Sequence, residues 1–250
     1  MSPTSTPDTL RLASYNIQAG IGSRHMRHML TYSFRYVLPH RQAIANLDRI
    51  SEQMQGFDLV GLQEADCGSF RSNQIQQAQY IAFHADIPYC LTQVTRDIGS
   101  IASIGLGLLS RFPCTHVEQH RLPASRHGRG LLKSVLHIAG MEVAVFVTHL
   151  SLKQSSRVRQ LRYIAQHMNK YEHAILMGDL NCEPDSSEFH MLLDEATLHP
   201  HGNPPASFPS WQPQRRIDHI LTRGRPRVTS IEAIPFVGSD HLPVVAEVAI

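Results

Sequence analysis

The chain has 250 residues, 42% of them hydrophobic and 18% charged, with 15 Gly and 15 Pro. That is enough for a substantial core in one large or two small domains, and it excludes the disordered and fibrous classes. Net charge is +2 with 16 neutral His, a weak overall field that neither requires nor excludes a polyanionic partner.

The opening segment, MSPTSTPDT, lacks a cationic stretch followed by an apolar one, so a secretory signal is not expected. It reads as a flexible tail over residues 1–9, ahead of one domain over 10–250. The most apolar stretches, Ile101 to Leu109 and Val143 to Val147, are too short to span a bilayer, so no transmembrane segment is expected. Cys67, Cys90, Cys114 and Cys182 lie far apart without a CxxC pair, as reduced thiols in a cytoplasmic protein would.

In chain order, strands are expected at Leu10 to Ile17, Leu59 to Leu62, Gly105 to Leu109, Leu131 to Ile138 and Glu142 to Leu150. Three more follow at Ala174 to Met177, Arg216 to Leu221 and Leu242 to Val248. Val143, Val145 and Val147 alternate, while other runs are continuous, as in strands covered on both faces. Between them, Ala43, Ile44, Leu47, Ile50 and Met54 mark one helix, and Val158, Leu161, Ala165 and Met168 a second. Phe189, Leu192, Leu193 and Ala196 mark a third, with Asp185 and Ser186 placed to cap it. No internal repeat or dividing linker is visible, and Pro204 to Pro213 reads as a loop within an α/β domain.

Two stretches are long excursions. Gly20 to Pro39 carries Arg24, His25, Arg27, His28 and Arg35 among Met26, Met29, Leu30, Phe34 and Val37. It suits a packed surface helix with solvated cations, or a contact to substrate or to an anionic surface. Phe70 to Arg96 begins polar and Gln-rich and carries little pattern.

The apolar runs end on polar groups that packing does not require. Asn16 closes the first, Glu64 the second, and His149 lies in VTHL; Asp179 and Asn181 follow AILMG, Asp218 sits in RRIDHIL, and Asp240 and His241 open DHLPVV. Each has a bland reading alone, since Asn16 suits a turn, Glu64 an ion pair, and Asp179 an Asx-turn. Buried together they need pairing, hydrogen bonds or a metal. The oxygens of Glu64, Asp240 and Asn16 suit a hard ion, Mg²⁺ or Mn²⁺, that keeps waters and takes phosphate oxygens. Asp179 is available to orient or deprotonate a water, and an Asp–His pair can donate to a phosphate or leaving oxygen.

YNI (15–17), LQE (62–64), THL (148–150), GDLN (178–181), RIDHIL (216–221) and SDHLPV (239–244) occur in the order of the endonuclease/exonuclease/phosphatase superfamily motifs, which the chain resembles from Leu10 to Ile250. The superfamily includes DNase I-like nucleases and neutral sphingomyelinases. The resemblance implies an α/β fold, a four-layered sandwich of two packed mixed β-sheets flanked by helices. It implies a divalent-metal-dependent hydrolase of phosphate esters, most naturally a phosphodiesterase, with a nuclease as the alternative and a non-catalytic binding module as a remote one. Glu64, Asn16 and Asp240 would hold Mg²⁺ or Mn²⁺, and Asp179 with Asn181 would manage the attacking water. His241, held by Asp218, would contact the scissile phosphate, and His149 would stabilise the transition state. Arg129, in GRGLLK, resembles an Arg at a strand start in many members, and Arg24, Arg27 and Arg35 are further candidates for substrate binding.

Departures from the pattern bear on substrate. Gln18 stands where the nuclease branch commonly has Asp, and Gly105-Leu106-Gly107 lacks an Asn common in bacterial members. The Trp-Cys-Asp-Arg segment of the inositide 5-phosphatases is missing. With modest charge and one Trp, a phospholipid-like or small phosphodiester fits at least as well as duplex DNA.

Overall fold

The computed structural model describes residues 9–22, 41–99, 101–123, 128–199 and 202–250. Residues 1–8 of the expected tail, and Arg24, Arg27 and Arg35, lie outside the described residues.

The elements run β1 (Thr9–Asn16), α1 (Arg41–Met54), β2 (Leu59–Asp66), α2 (Gln77–His84), β3 (Tyr89–Ile98) and β4 (Ala102–Ser110). They continue with β5 (Cys114–Arg121), β6 (Gly130–Ile138), β7 (Met141–His149), α3 (Gln154–Met168) and β8 (His173–Asp179). The chain closes with α4 (Ser187–Glu195), β9 (Asp218–Arg223), β10 (Arg227–Ala233) and β11 (Val244–Ala249). Six strands form one sheet in the order β10-β11-β1-β2-β4-β3, and five form a second in the order β5-β6-β7-β8-β9. Each sheet is mixed: β1 with β2 and β7 with β8 are parallel, whereas β1 with β11 and β8 with β9 are antiparallel.

The sheets face each other through aliphatic side chains. Leu10, Leu12 and Leu108 from one meet Val143, Val145 and Ile175 from the other in a shared cluster. Burial on both faces explains the continuous apolar runs, because the outer faces are covered too. Leu47, Ile50 and Met54 of α1 and Ile81 of α2 pack on the first sheet; Leu161, Ala165 and Met168 of α3 and Phe189 and Leu192 of α4 pack on the second. The result is the expected sandwich of helices, sheet, sheet and helices.

Several expectations need correction. Ile44, assigned to the apolar face of α1, is exposed, so that face runs from Leu47 onward. Ser186 does sit at the N-cap of α4, but its hydroxyl donates to the Glu183 carbonyl and makes no cap bond. β3, β5 and β10 were not expected, nor was α2. All three strands are sheet edges. Most of their residues are incompletely buried, so they lack the continuous apolar runs of the covered strands.

Between the outer helices, Arg157 donates from Nη2 to Glu188 Oε1 at 2.6 Å, and Glu188 is buried. Burial alone would raise the Glu188 carboxyl, but bonds from Arg157 and Gln154 lower it below its usual range. A lowered folded-state pKa contributes stability above the ordinary carboxylate range and loses it as pH falls through the folded value. Urea unfolding of Glu188→Ala should therefore show a loss of about 3–5 kcal/mol at neutral pH, because Arg157 keeps its charge without its partner. The difference from wild type should shrink in acid; a pH-independent gap would assign the effect to packing alone.

Candidate active site

Parallel pairing puts the ends of β1 and β2 together in one sheet, and those of β7 and β8 in the other. Strand register then does the detailed placement. His149 is the register partner of Asp179, and Asp179 is the partner of Asp218 on β9. Three chemically active side chains thus lie side by side on adjacent strands. Asn16 ends β1, and Glu64 sits near the end of β2, where the β2–β4 register slips between Leu62 and Ala65. At that bulge Glu64 has φ 55°, a left-handed conformation that costs a β-carbon-bearing residue about 1–2 kcal/mol. Asp240 and His241 precede β11 in a loop, since that strand starts at Val244 and not at the expected Leu242.

Asp179 is the meeting point. Its Oδ2 lies 3.3 Å from Asn16 Nδ2, 3.3 Å from His149 Nε2 and 3.8 Å from His241 Nε2. Its Oδ1 accepts from the Asn181 backbone amide at 2.9 Å. Asn181 reaches that position with φ 53°, and its side-chain amide donates to the Leu150 carbonyl at 3.0 Å. Burial of Asp179 would raise its carboxyl, but His149, His241 and the Asn181 amide together hold it well below the usual carboxylate range.

His241 Nδ1 and Asp218 Oδ2 are 2.7 Å apart, and the Ser207 hydroxyl donates to that same oxygen. Burial opposes a charge on His241, yet the adjacent Asp218 outweighs it and pushes the imidazole up to about 10. With Nδ1 turned to Asp218, Nε2 faces Asp179 and the site. The Phe208 ring lies against the imidazole, centroid to centroid 4.8 Å.

Arg129 is half-buried, and its Nη1 lies 2.8 Å from His149 Nδ1. A guanidinium only donates, so Nδ1 is the acceptor and the ring proton is on Nε2, aimed at Asp179. Glu64 Oε1 is 3.8 Å from the same Nδ1. These groups open into a cleft of about 190 Å³ whose lining includes Glu64, His149, Arg129, Thr95 and Arg96. Arg96 was not singled out from the sequence; it belongs to edge strand β3, where one cation among polar residues carries no pattern.

Asp179, Asp218 and His241 are the described residues whose ligand atoms fall within 4.8 Å of one another. That is not the expected metal set, and the 2.7 Å bond between Asp218 and His241 already uses one atom of each. Glu64, Asn16 and Asp240 offer hard oxygen donors, and they fit Mg²⁺ or Mn²⁺ better. Burial pushes the Asp240 carboxyl up to about 6 against the opposing pull of His241, and the Glu64 charge adds to the rise. Gln18 stands beside them, donating from Nε2 to Asp240 Oδ2 at 3.1 Å and from its backbone to Asn16 Oδ1 at 3.1 Å.

The strain at Glu64 gives a test of what this position serves. Glycine adopts the left-handed conformation freely, so Glu64→Gly should melt at or above the temperature of Glu64→Ala, whose β-carbon retains the strain. A lower melting temperature for the glycine variant would show that the bulge is unstrained.

The sequence model described as "Endonuclease/Exonuclease/phosphatase family" matches residues 13–241. The protein "Uncharacterized protein YbhP" of Escherichia coli (strain K12) is 28% identical over 158 residues, 58% of this chain and 62% of that protein, so the match spans under two thirds of this curated relative. Sphingomyelinase C from Streptomyces griseocarneus superposes with a TM-score of 0.66 at 21% identity, covering 97% of this chain and 99% of that one. The Bacteroides thetaiotaomicron mannosyl-6-phosphatase Bt3783 gives 0.71 at 16% identity, covering 96% of this chain and 100% of that one. At these identities the structural likeness speaks for the fold alone.

Proposed function

Since the chain belongs to the endonuclease/exonuclease/phosphatase family, a family of phosphate-ester hydrolases, we propose that it is a Mg²⁺- or Mn²⁺-dependent phosphodiesterase. One observation carries this reading: Asn16, His149, Asn181 and His241 converge on a single buried carboxylate, Asp179, with Glu64 3.8 Å from the same His149 and Asp240 adjoining His241 in the chain.

Glu64, Asn16 and Asp240 hold the metal, which when bound supplies a positive charge to neutralise phosphate oxygens. Asp179 orients a water toward phosphorus and receives its proton as the new P–O bond forms, with Asn181 fixing the carboxylate. His241, kept protonated by Asp218, hands a proton from Nε2 to the departing oxygen. His149 stabilises the transition state through Arg129, which it anchors at Nδ1 and whose remaining guanidinium N–H groups face the charge that develops on the phosphoryl oxygens; donors already in place there need no rearrangement during reaction.

For substrate, the cleft of about 190 Å³ with two arginines in its lining favours a phospholipid-like or other small phosphodiester. A duplex needs a long row of phosphate contacts, and a net charge of +2 gives little support for one. The names of the two structural relatives, a sphingomyelinase and a sugar phosphatase, are compatible with small or lipid-borne phosphates. Arg24, Arg27 and Arg35 supply a peripheral contact with an anionic surface, and the cytoplasm is the proposed compartment. Among the described residues no helix is long and apolar enough to cross a membrane.

Hydrolysis of bis-p-nitrophenyl phosphate with Mg²⁺ or Mn²⁺ should fall on the order of a hundredfold or more in Asp179→Ala and in Glu64→Ala. Equal rates in wild type and both variants would overturn the catalytic assignment. In a side-by-side panel of phospholipid vesicles, plasmid DNA, single-stranded RNA and phosphomonoesters, the vesicles should be turned over fastest. Neutralising Arg24, Arg27 and Arg35 should slow the preferred substrate more than the chromogenic diester. Plasmid cleaved fastest, with a steep salt dependence, would instead establish a nuclease.

A further inference from the structure

Two loops that bring oxygen donors to the site are tied together by one side chain outside it. Gln77, the first residue of α2, is buried. Its Oε1 accepts from the Asp66 backbone amide at 2.9 Å, and its Nε2 donates to the Ala19 carbonyl at 2.8 Å. A backbone N–H can only donate and a carbonyl can only accept, so the amide has one possible orientation and both bonds depend on it.

The two anchored positions are informative. Ala19 lies in the turn after Asn16, where Gln18 and Ala19 both adopt positive φ, at 47° and 51°. Asp66 lies two residues beyond the Glu64 bulge. On its far side the Asp66 carboxylate is fixed by the backbone amides of Gly68 and Ser69, the hydroxyls of Ser69 and Ser72, and Arg71 Nε at 2.6 Å. The backbone at Asp66 is therefore held from both sides. Gly20 leaves room for the same bridge: a β-carbon there would stand 3.1 Å from Gln77 Nε2. Each loop holds residues in a disfavoured backbone conformation, which persists only where the surroundings impose it.

We propose that Gln77 is a positioning residue for the metal site: its amide sets the separation between the Asn16 turn and the Glu64 bulge, and so the affinity of the oxygen donors for a divalent cation. This rests on the metal reading of Glu64, Asn16 and Asp240. Gln77 touches neither substrate nor metal, and acts through backbone it holds.

Binding of Mn²⁺ to the full chain, followed by the electron paramagnetic resonance of the free ion, tests this without reference to turnover. Gln77→Glu keeps the acceptor for the Asp66 amide but sets an oxygen against the Ala19 carbonyl, and Gln77→Leu removes both bonds. Each should weaken Mn²⁺ binding about 10- to 100-fold, the range seen when residues supporting metal ligands are lost. Ile81→Val on the same helix loosens packing without touching the bridge, and should leave the Mn²⁺ affinity within about twofold of wild type. Circular dichroism identifies the folded variants. Wild-type affinity in folded Gln77→Glu and Gln77→Leu would overturn the proposal, as would an equal loss in Ile81→Val. If wild type and Glu64→Ala bind Mn²⁺ alike, the metal reading itself fails, and this inference falls with it.

Discussion

Asp179 is a carboxylate removed from water, and a buried charge is tolerated only where other groups compensate it. The compensation comes from widely separated parts of the chain: Asn16 from the six-stranded sheet, His149 from a neighbouring strand of the other sheet, Asn181 from the following turn and His241 from the loop before β11. Placing this carboxylate requires both sheets to be packed in one relative position. The aliphatic layer between them, with Leu12, Val145 and Ile175 fully buried, supplies that rigidity. Apolar packing thus fixes the distance across which the polar groups meet, and the polar groups in turn make other sheet positions costly.

The same economy of geometry recurs around the site. Ring nitrogens are assigned roles by their neighbours: Asp218 takes Nδ1 of His241, and Arg129 takes Nδ1 of His149, leaving both Nε2 atoms turned to Asp179. Strained backbone is found here as well. Of the described non-glycine residues with positive φ, Gln18, Ala19, Glu64 and Asn181 lie at or within three residues of proposed metal or water positions, and the others lie elsewhere. Stability is given up locally so that side chains point where chain direction alone would not send them.

Much of this was legible in the residues. Each apolar run that ends on Asn16, Glu64, His149 or Asp179 is a strand ending at one edge of the sandwich, because burial on both faces makes such strands uniformly apolar. β3, β5 and β10 escaped notice for the opposite reason, being edge strands with much of their length exposed. Their loss from the reading also hid Arg96, and the Gln-rich stretch after Phe70 hid α2 with its buried Gln77. The spacing expected for α1 placed Ile44 on the apolar face, where it is exposed.

The sequence by itself determined where the most apolar strands lie, which side chains stand at their ends, and that those side chains suit oxygen-coordinated cations and phosphate chemistry. These are local properties, written in runs of neighbouring residues. Tertiary structure alone decided which groups touch. The Asn16 to Asp179 contact spans 163 residues, and the Gln77 to Ala19 bond spans 58. Such contacts depend on strand register and sheet packing, and no local pattern encodes them.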